Sequence, residues 1–213
     1  MKRALAAVLE MAMILTWLWL YSCQAQAQLQ PYLQGGAGYI HNMGYENPDM
    51  FAAAGVRDTG RGNRWQAEAA AQYDSAAKYI GNGYSLSAQA AGYWCPVPTV
   101  ELDKMLNRGH LCLGGGAQYV AEVTRQWSKA SWRPLLLLRW PYAGWLLTAH
   151  ANPSSGSDRQ NHEHAFGLTG EYPLTRHLVL VEDATLAIFQ PTNQPHAKWL
   201  AGGELSSAVR YRF

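Results

Sequence analysis

A short histidine-containing segment holds the residues whose types and spacing come closest to a metal site. In His162-Glu163-His164 two imidazoles are two positions apart, on one side of an extended backbone, and Asp158 precedes them. Imidazole nitrogens and carboxylate oxygens are ligands of zinc and other transition metals. Nothing in this spacing demands a metal, and solvated loop residues have the same composition. We therefore predict no metal site and no cofactor.

Other polar residues could take part in hydrolysis, but no motif supports that role. General acids or bases in exposed loops could be supplied by His41, Asp49 and Asp158. Phosphate-binding loops, paired CxxC ligands and nucleophile elbows are absent from the sequence. We therefore predict no catalytic residues, and the sequence favours a protein that is not an enzyme without excluding an enzyme.

The composition describes one weakly charged domain. Of the 213 residues, 48% are apolar and only 15% are charged, which excludes a disordered chain. The net charge of +2 is too small to favour binding to nucleic acid. Because the chain is still slightly polar on average, its apolar residues must alternate with polar ones or lie in a few dense blocks.

The first 27 residues are predicted to be a secretory signal peptide. Basic residues at positions 2–3 precede the apolar stretch 11–21, and small residues at 25 and 27 form a cleavage site. The stretch is too short to span a bilayer, which disfavours a membrane anchor. Lipoprotein processing at Cys23 remains an alternative. Cleavage after residue 27 leaves a mature domain of residues 28–213.

The mature chain alternates with a period of two, as strands with two different faces do. In segment 64–74 one face carries Trp65, Ala67, Ala69, Ala71 and Tyr73, and the other carries Arg64, Gln66, Glu68, Gln72 and Asp74. The pattern recurs in 83–95, 132–142, 145–152 and 164–174, and in diluted form in 30–41, 110–123 and 199–213. Two segments are weaker: 50–57 is short and rich in alanine, and 177–190 contains Glu182 next to Asp183, so one acid must face each way.

The links between these segments predict an all-β, antiparallel, up-and-down transmembrane β-barrel of about ten strands, with eight as the alternative. Short links at 58–63, 141–144 and 173–176 alternate with longer polar links at 42–49, 75–82, 153–161 and 191–198. Aromatic residues such as Trp65 and Tyr73 lie at opposite ends of the apolar faces. Eight residues of tilted strand rise roughly 20 Å, near the height of a lipid-facing band. A secreted β-sandwich is the soluble alternative.

The last strand carries a further signal, because Leu205, Ser207, Val209, Tyr211 and the terminal Phe213 share one face. This pattern resembles the C-terminal signature of Gram-negative outer-membrane β-barrel proteins, and the chain is similar in size to OmpA-like, OmpX-like and opacity-type barrels. The resemblance implies recognition of Val209, Tyr211 and Phe213 by the barrel-assembly machinery. It also implies a location in the outer membrane with both termini in the periplasm. We expect a monomer in contact with outer-membrane lipid and lipopolysaccharide.

Cys95 and Cys112 are predicted to form a disulfide bond. Both cysteines fall on the polar faces of neighbouring strands and flank the long link 96–109, in which 99–106 could form a helical turn. In an oxidising periplasm such a pair would contribute roughly 3 kcal/mol by the chain-entropy estimate. The alternative is two unrelated small core residues.

The polar faces are predicted to fill the barrel with paired charges and hydrogen bonds. The inward residues are Arg64, Glu68, Gln72, Gln89, Gln118, Glu122, Arg133, Arg139, His150, Glu171, Glu204, Arg210 and Arg212. Eight strands leave space only for side chains, and ten leave little more. This disfavours a general pore.

We therefore expect a small closed barrel with a structural or surface-interaction role. Basic residues in or beside the outer loops could meet lipid phosphates: Arg125, Lys129, Arg159 and Lys198. Two alternatives remain, a small selective channel and an enzyme that modifies lipid A or phospholipid at the outer rim. Lipid A deacylases of the PagL type carry a His-x-Ser pair, and none of the seven histidines here has a serine two positions later.

Overall fold

Ten strands form the part of the chain that the structure, a computed structural model, describes: residues 29–42, 45–58, 65–75, 83–95, 111–124, 128–153, 161–191 and 200–213. The strands are β1 (Leu29–Asn42), β2 (Tyr45–Asp58), β3 (Trp65–Asp74), β4 (Gly83–Trp94), β5 (Cys112–Thr124), β6 (Ser128–Tyr142), β7 (Trp145–Asn152), β8 (Asn161–Pro173), β9 (Leu178–Pro191) and β10 (Leu200–Arg212). The predicted signal peptide, residues 1–27, lies outside these residues.

Each strand pairs antiparallel with the next, and β1 also pairs with β10, so the sheet closes into a barrel. The closing register runs from Tyr32 opposite Arg212 to Asn42 opposite Gly202. The backbone N–H of Phe213 donates to the carbonyl oxygen of Pro31 at 3.2 Å. Both ends of the described chain therefore lie at one end of the barrel, which we call the terminal end. The prediction of ten strands, rather than eight, is confirmed.

The alternation predicted from sequence is the alternation of the two barrel faces. On β4, Tyr84, Leu86 and Trp94 are exposed on the outside, whereas Ser85 and Tyr93 are buried inside. Successive side chains of a strand point to opposite faces, so the apolar set must point outward when the polar set fills the interior. The described residues include no helix long and apolar enough to cross a membrane.

Two strands begin earlier than the sequence predicts. The segment 42–49 was expected to be a polar link, but β2 begins at Tyr45 and pairs with β1 over its whole length, from Leu29 opposite Asp58 to Asn42 opposite Tyr45. Likewise β6 begins at Ser128 and not at Trp132. Each of these strands must satisfy the backbone groups of a long neighbour, and this requirement overrides the loop preference of its polar residues.

The short link at 141–144 is confirmed as a two-residue hairpin. Tyr142 pairs with Trp145, and between them Ala143 has a φ of 50° and Gly144 a φ of 86°. Positive φ at both central residues is the mark of a type I′ turn, whose twist matches that of the flanking strands.

Candidate functional site in the barrel interior

A buried cluster of ion pairs near the terminal end is centred on Arg57 of β2. Arg57 Nη1 donates to Glu171 Oε2 and Nη2 donates to Glu171 Oε1, both at 2.7 Å. The same guanidinium group donates from Nε and Nη2 to Glu68 Oε2 at 3.1 and 2.9 Å. Exposed fractions of 7% for Arg57, 7% for Glu68 and 4% for Glu171 place all three away from solvent.

This cluster crosses the barrel. Arg57 lies on β2 and Glu171 on β8, with β9, β10 and β1 between them on one side and five strands on the other. Side chains from nearly opposite walls therefore meet in the middle of the lumen. Hydrogen bonds between ionised groups are short and strong, and a planar guanidinium group bonds a carboxylate with two parallel contacts.

Further arginines attach to the same two carboxylates. Arg139 of β6 contacts Glu68 at 3.1 Å. On β10, Arg210 and Arg212 contact Glu171 at 3.1 and 3.7 Å. Four guanidinium groups thus share two carboxylates, and β2, β3, β6, β8 and β10 are tied together. We call this set, Arg57, Glu68, Arg139, Glu171, Arg210 and Arg212, the ion-pair plug.

Two tyrosines complete the packing of the plug. The guanidinium carbon of Arg139 lies 3.7 Å from the ring centroid of Tyr93, and that of Arg210 lies 4.4 Å from the ring centroid of Tyr32. The hydroxyl of Tyr32 donates to Glu68 Oε1 at 3.1 Å. Gly55 makes room for this tyrosine, because a Cβ there would stand 2.5 Å from the Tyr32 ring. Cations over aromatic faces are attracted by the ring quadrupole.

The predicted disulfide between Cys95 and Cys112 is present. Both cysteines are fully buried and pack against Tyr93 and Leu137. They extend the ladder between β4 and β5 just beyond the pair Trp94 and Leu113, so the bond fixes these two strands beside the plug. The helical turn predicted within 99–106 lies outside the described residues.

A second polar cluster lies on the inner wall of β7, β8 and β9. The hydroxyl of Thr169 donates to Asp183 Oδ1 at 2.5 Å, and that of Thr185 donates to Asp183 Oδ2 at 2.9 Å. His150 Nε2 lies 3.3 Å from the Thr185 hydroxyl and 3.9 Å from Asp183 Oδ1. A Cβ at Gly167 would meet His150 Nε2 at 1.7 Å, so this glycine provides the space for the imidazole.

The second cluster does not have the arrangement of a nucleophile with its base. In such a site the imidazole accepts the hydroxyl proton and a carboxylate orients the imidazole from its other nitrogen. Here the Thr185 hydroxyl donates to Asp183, and the carboxylate and the hydroxyl are both on the Nε2 side of His150. The cluster is therefore a hydrogen-bonded wall of the lumen.

Between the plug and this wall a cavity of about 180 Å³ remains. Its polar lining includes Gln34, Gln72, Gln89 and Gln118. Space of this size, lined by hydrogen-bonding groups, holds a handful of water molecules. Around this cavity, side chains of the described residues therefore occupy much of the lumen.

The structure places the described residues of the predicted lumen set on the inner face. The plug contains Glu68, Arg139, Glu171, Arg210 and Arg212, and the cavity is lined by Gln72, Gln89, Gln118, His150 and Glu204. Glu122 is buried, Arg133 lies at an inward position of β6, and Arg64 lies outside the described residues. Glu182 and Asp183 face opposite ways, as predicted.

Sequence reasoning missed Arg57, the central residue of the plug, and Tyr32, whose hydroxyl donates to Glu68. Arg57 is the last residue of segment 50–57, for which the sequence predicts only a weak strand. Phe51, Ala53, Gly55 and Arg57 all occupy inward positions of β2. This alternation could have placed Arg57 on the inner face. It is clear only when the whole of β2, as far as Asp58, is considered.

The described residues contain no group of three or more His, Cys, Asp or Glu side chains that could hold a metal ion. The side chains of His162, Glu163 and Asp158 lie outside the described part, so the metal hypothesis for that segment is not tested.

Comparisons with known proteins return structures only. No protein-family model matches the chain, and no curated protein matches it. Among solved structures, Neisserial surface protein A is 10% identical with a TM-score of 0.39, covering 88% of this chain and 99% of that chain. The translocator domain of the autotransporter NalP from Neisseria meningitidis is 12% identical with a TM-score of 0.38, covering 98% of both chains. At these values the matches add nothing to what the strand pairing already establishes.

Proposed function

We propose that this protein is a small outer-membrane β-barrel with a closed lumen and a structural or surface-interaction role. The observation that carries the proposal is the ion-pair plug, in which Arg57 joins Glu171 across the barrel through two hydrogen bonds of 2.7 Å. A solute that crossed the lumen would have to separate these buried groups. Breaking a buried ion pair costs several kcal/mol, because it leaves uncompensated charge in a medium of low dielectric constant.

The outer surface supports a location in a membrane. Apolar side chains such as Leu33, Leu136 and Leu186 are exposed on it, as a lipid-facing band requires. The residues of the predicted assembly signal, Val209 and Tyr211, are also exposed on that surface, next to the terminal Phe213. An assembly machinery could therefore contact them from the outer face of the barrel.

The end opposite the termini is the candidate interaction surface. In the proposed orientation it faces the outside of the cell, where connecting segments commonly carry binding functions. Basic residues predicted to lie in or beside these links, such as Arg125 and Arg159, favour contact with the phosphates of lipopolysaccharide.

Conductance across a planar bilayer tests the closed lumen. The protein purified from membranes should give no steady conductance of the kind that general pores give. The variant Arg57→Ala/Glu171→Ala removes both partners of the crossing pair and should raise the frequency and size of channel openings. The matched control is Gln89→Ala, which changes a cavity residue outside the plug and should give no conductance.

A steady conductance from the unaltered protein would favour the small selective channel and overturn the closed-lumen proposal. The enzyme alternative is tested separately by mass spectrometry of lipid A and phospholipids from cells with and without the protein. A changed lipid profile that disappears with Ala at His150, His162 and His164 would replace the structural role with an enzymatic one.

A further inference from the structure

The cavity beside the ion-pair plug exists because small residues occupy several of the inward positions around it. Ala53 of β2, Ala70 of β3 and Ala208 of β10 all line it, and an alanine side chain extends only a short way into a barrel. The space of about 180 Å³ corresponds to about six water molecules, since each takes about 30 Å³ of liquid. It therefore has room for a small molecule in place of water.

Arg210 lines this cavity with hydrogen-bond donors that the plug leaves unused. A guanidinium group has five N–H donors, and Arg57, at the centre of the plug, donates from all three of its nitrogens. Within the described part of the chain, Arg210 donates from Nε alone, to Gln34 Oε1 at 2.9 Å. Its Nη1 lies 3.1 Å from Glu171 Oε1, but the two groups are not aligned for a hydrogen bond.

The unused donors of Arg210 favour a carboxylate on this side of the cavity. Arg210 is only 6% exposed, and a buried charged group without its hydrogen bonds is costly. Gln34 lies opposite Arg210 in the sheet and also lines the cavity. Because its oxygen already accepts from Arg210, its amide nitrogen is the group that can serve a ligand. Guanidinium and amide N–H groups side by side are donors that a carboxylate accepts.

Asp183 and Glu204 bring negative charge to the same cavity. Asp183 lies on β9 opposite Ser206 of β10, and Ser206 is four residues from Arg210, about 13 Å along the strand. The two oxygens of Asp183 each accept one hydrogen bond from a threonine hydroxyl. An ionised carboxylate has about four acceptor positions, so Asp183 can also accept from an ammonium group.

These charges decide which kind of ligand fits. A simple anion would be attracted by Arg210 but repelled by Asp183 and Glu204. A simple cation would be attracted by the two acids but repelled by the plug, in which four guanidinium groups share two carboxylates. A molecule that carries both charges is complementary to both sides.

Resting on the closed lumen of the proposed function, we propose that this cavity binds a small zwitterion of about the size of the free amino acid alanine. Its carboxylate accepts from Arg210, and its ammonium group donates to Asp183. The ligand enters from the end opposite the termini, because the ion-pair plug closes the terminal end. On binding it displaces cavity water and supplies the acceptor that Arg210 lacks. The barrel thus captures the zwitterion without passing it across the membrane.

Equilibrium dialysis of the purified protein in detergent tests the site with three radiolabelled compounds: alanine, propionate and ethylamine. Propionate is alanine without its amino group, and ethylamine is alanine without its carboxylate, so these two are matched controls. Alanine should bind saturably, and each control should bind at least about tenfold more weakly, as expected for losing a hydrogen bond to a charged group. Each measurement is repeated on protein refolded from urea with the compound present, so that slow entry cannot conceal binding.

Substitutions on the two sides of the cavity provide the second measurement. Arg210→Gln should weaken alanine binding at least about tenfold. Arg133→Gln is the matched control, because it removes an inward arginine that does not line the cavity, and it should leave binding unchanged. Asp183→Asn/Glu204→Gln removes the negative side and should make propionate bind more tightly than alanine. The compact form, which migrates differently on gels before and after boiling, reports whether each variant has folded. If Arg210→Gln does not fold, the change of preference in the double variant decides.

The outcomes separate the binding site from the closed lumen. If the folded protein binds alanine in neither protocol, or binds propionate or ethylamine equally well, the zwitterion site is wrong and the closed lumen stands. Equal losses in Arg133→Gln and Arg210→Gln would also overturn the site. If alanine binds as expected but also crosses the membrane of liposomes that contain the protein, the site is supported and the closed lumen is overturned.

Discussion

Arg57 and Glu171 stand on nearly opposite walls of the barrel and are joined by two hydrogen bonds of 2.7 Å. The pair connects strands that share no ladder, so it adds a link across the lumen that the sheet alone does not provide. Glu68 shares the same guanidinium group, and Arg139 and Arg210 bind the two carboxylates from further strands. The interior therefore braces the barrel as well as closing it.

Replacing the central arginine should destabilise the barrel strongly. Arg57→Ala removes the group that joins Glu68 to Glu171, whereas other arginines still contact each carboxylate. We therefore expect a loss of about 1.5–3 kcal/mol, the contribution of a hydrogen bond to a charged group. Unfolding by urea in lipid vesicles, followed by tryptophan fluorescence, measures this loss. Gln89→Ala, also in the lumen, serves as the control and should change the unfolding free energy by less than about 0.5 kcal/mol. An equal effect of the two substitutions would contradict a special role for the plug.

Reduction of the disulfide should lower stability without opening the lumen. The Cys95–Cys112 bond spans 17 positions of sequence, and a loop of that length contributes roughly 3 kcal/mol by the chain-entropy estimate. The urea midpoint should fall on reduction, and Cys95→Ala/Cys112→Ala should reproduce the fall. The reduced protein should still show no conductance across a planar bilayer, since the plug contains no cysteine. Conductance that appears on reduction would place the closure at the disulfide instead.

Alternation made the ten strands predictable, because the two faces of this barrel differ chemically along nearly every strand. It failed at the beginnings of β2 and β6, where the need to satisfy a neighbour's backbone extends the strand through polar residues. It placed Glu68, Arg139 and Glu171 on the inner face, but it did not show which inward residues contact each other. Which strands oppose each other depends on closure and on strand stagger, which period-two patterns do not contain. Arg57 was missed for a different reason, because it stands at the edge of a short alanine-rich segment whose alternation is weak.

Adjacent glycines at the closing seam should differ sharply in their tolerance of alanine. A Cβ on Gly36 would stand 2.3 Å from the Ser207 carbonyl oxygen and 2.6 Å from the Ala208 Cβ, whereas a Cβ on Gly35 has its nearest atom at 4.0 Å. Backbone of the paired strand cannot move away cheaply, so Gly36→Ala should cost about 1–3 kcal/mol or prevent closure. Gly35→Ala is the matched control and should be nearly neutral. For both variants, the measurements are the yield of the compact folded form on gels and the urea concentration at the midpoint of unfolding.

Gly167 should be required mainly because His150 is present. Gly167→Ala places a Cβ against His150 Nε2 and 2.7 Å from the Thr185 hydroxyl, which displaces the imidazole and costs about 1–3 kcal/mol. His150→Ala removes the obstructing ring, so the double variant should recover most of the loss, and the urea midpoints of all four proteins give the coupling energy. If the two single losses of unfolding free energy simply added in the double variant, Gly167 would be required for its backbone conformation and not for the space it leaves to His150.

Phe213 should matter for assembly in cells more than for the stability of the finished barrel. Its ring is 61% exposed and lies edge-on to Tyr211 at 5.1 Å, and its backbone makes one hydrogen bond to Pro31, so little folding energy depends on it. Deletion of Phe213 should sharply reduce the compact form in cell membranes, while the same variant refolded in detergent should keep a urea midpoint close to that of the full chain. Phe213→Trp keeps a terminal aromatic residue and should assemble. Leu33→Ala, an outward change on the neighbouring strand opposite Tyr211, controls for lost apolar surface. If the deletion weakened the refolded barrel as much as the cellular one, Phe213 would be a packing residue and its role as an assembly signal would be wrong.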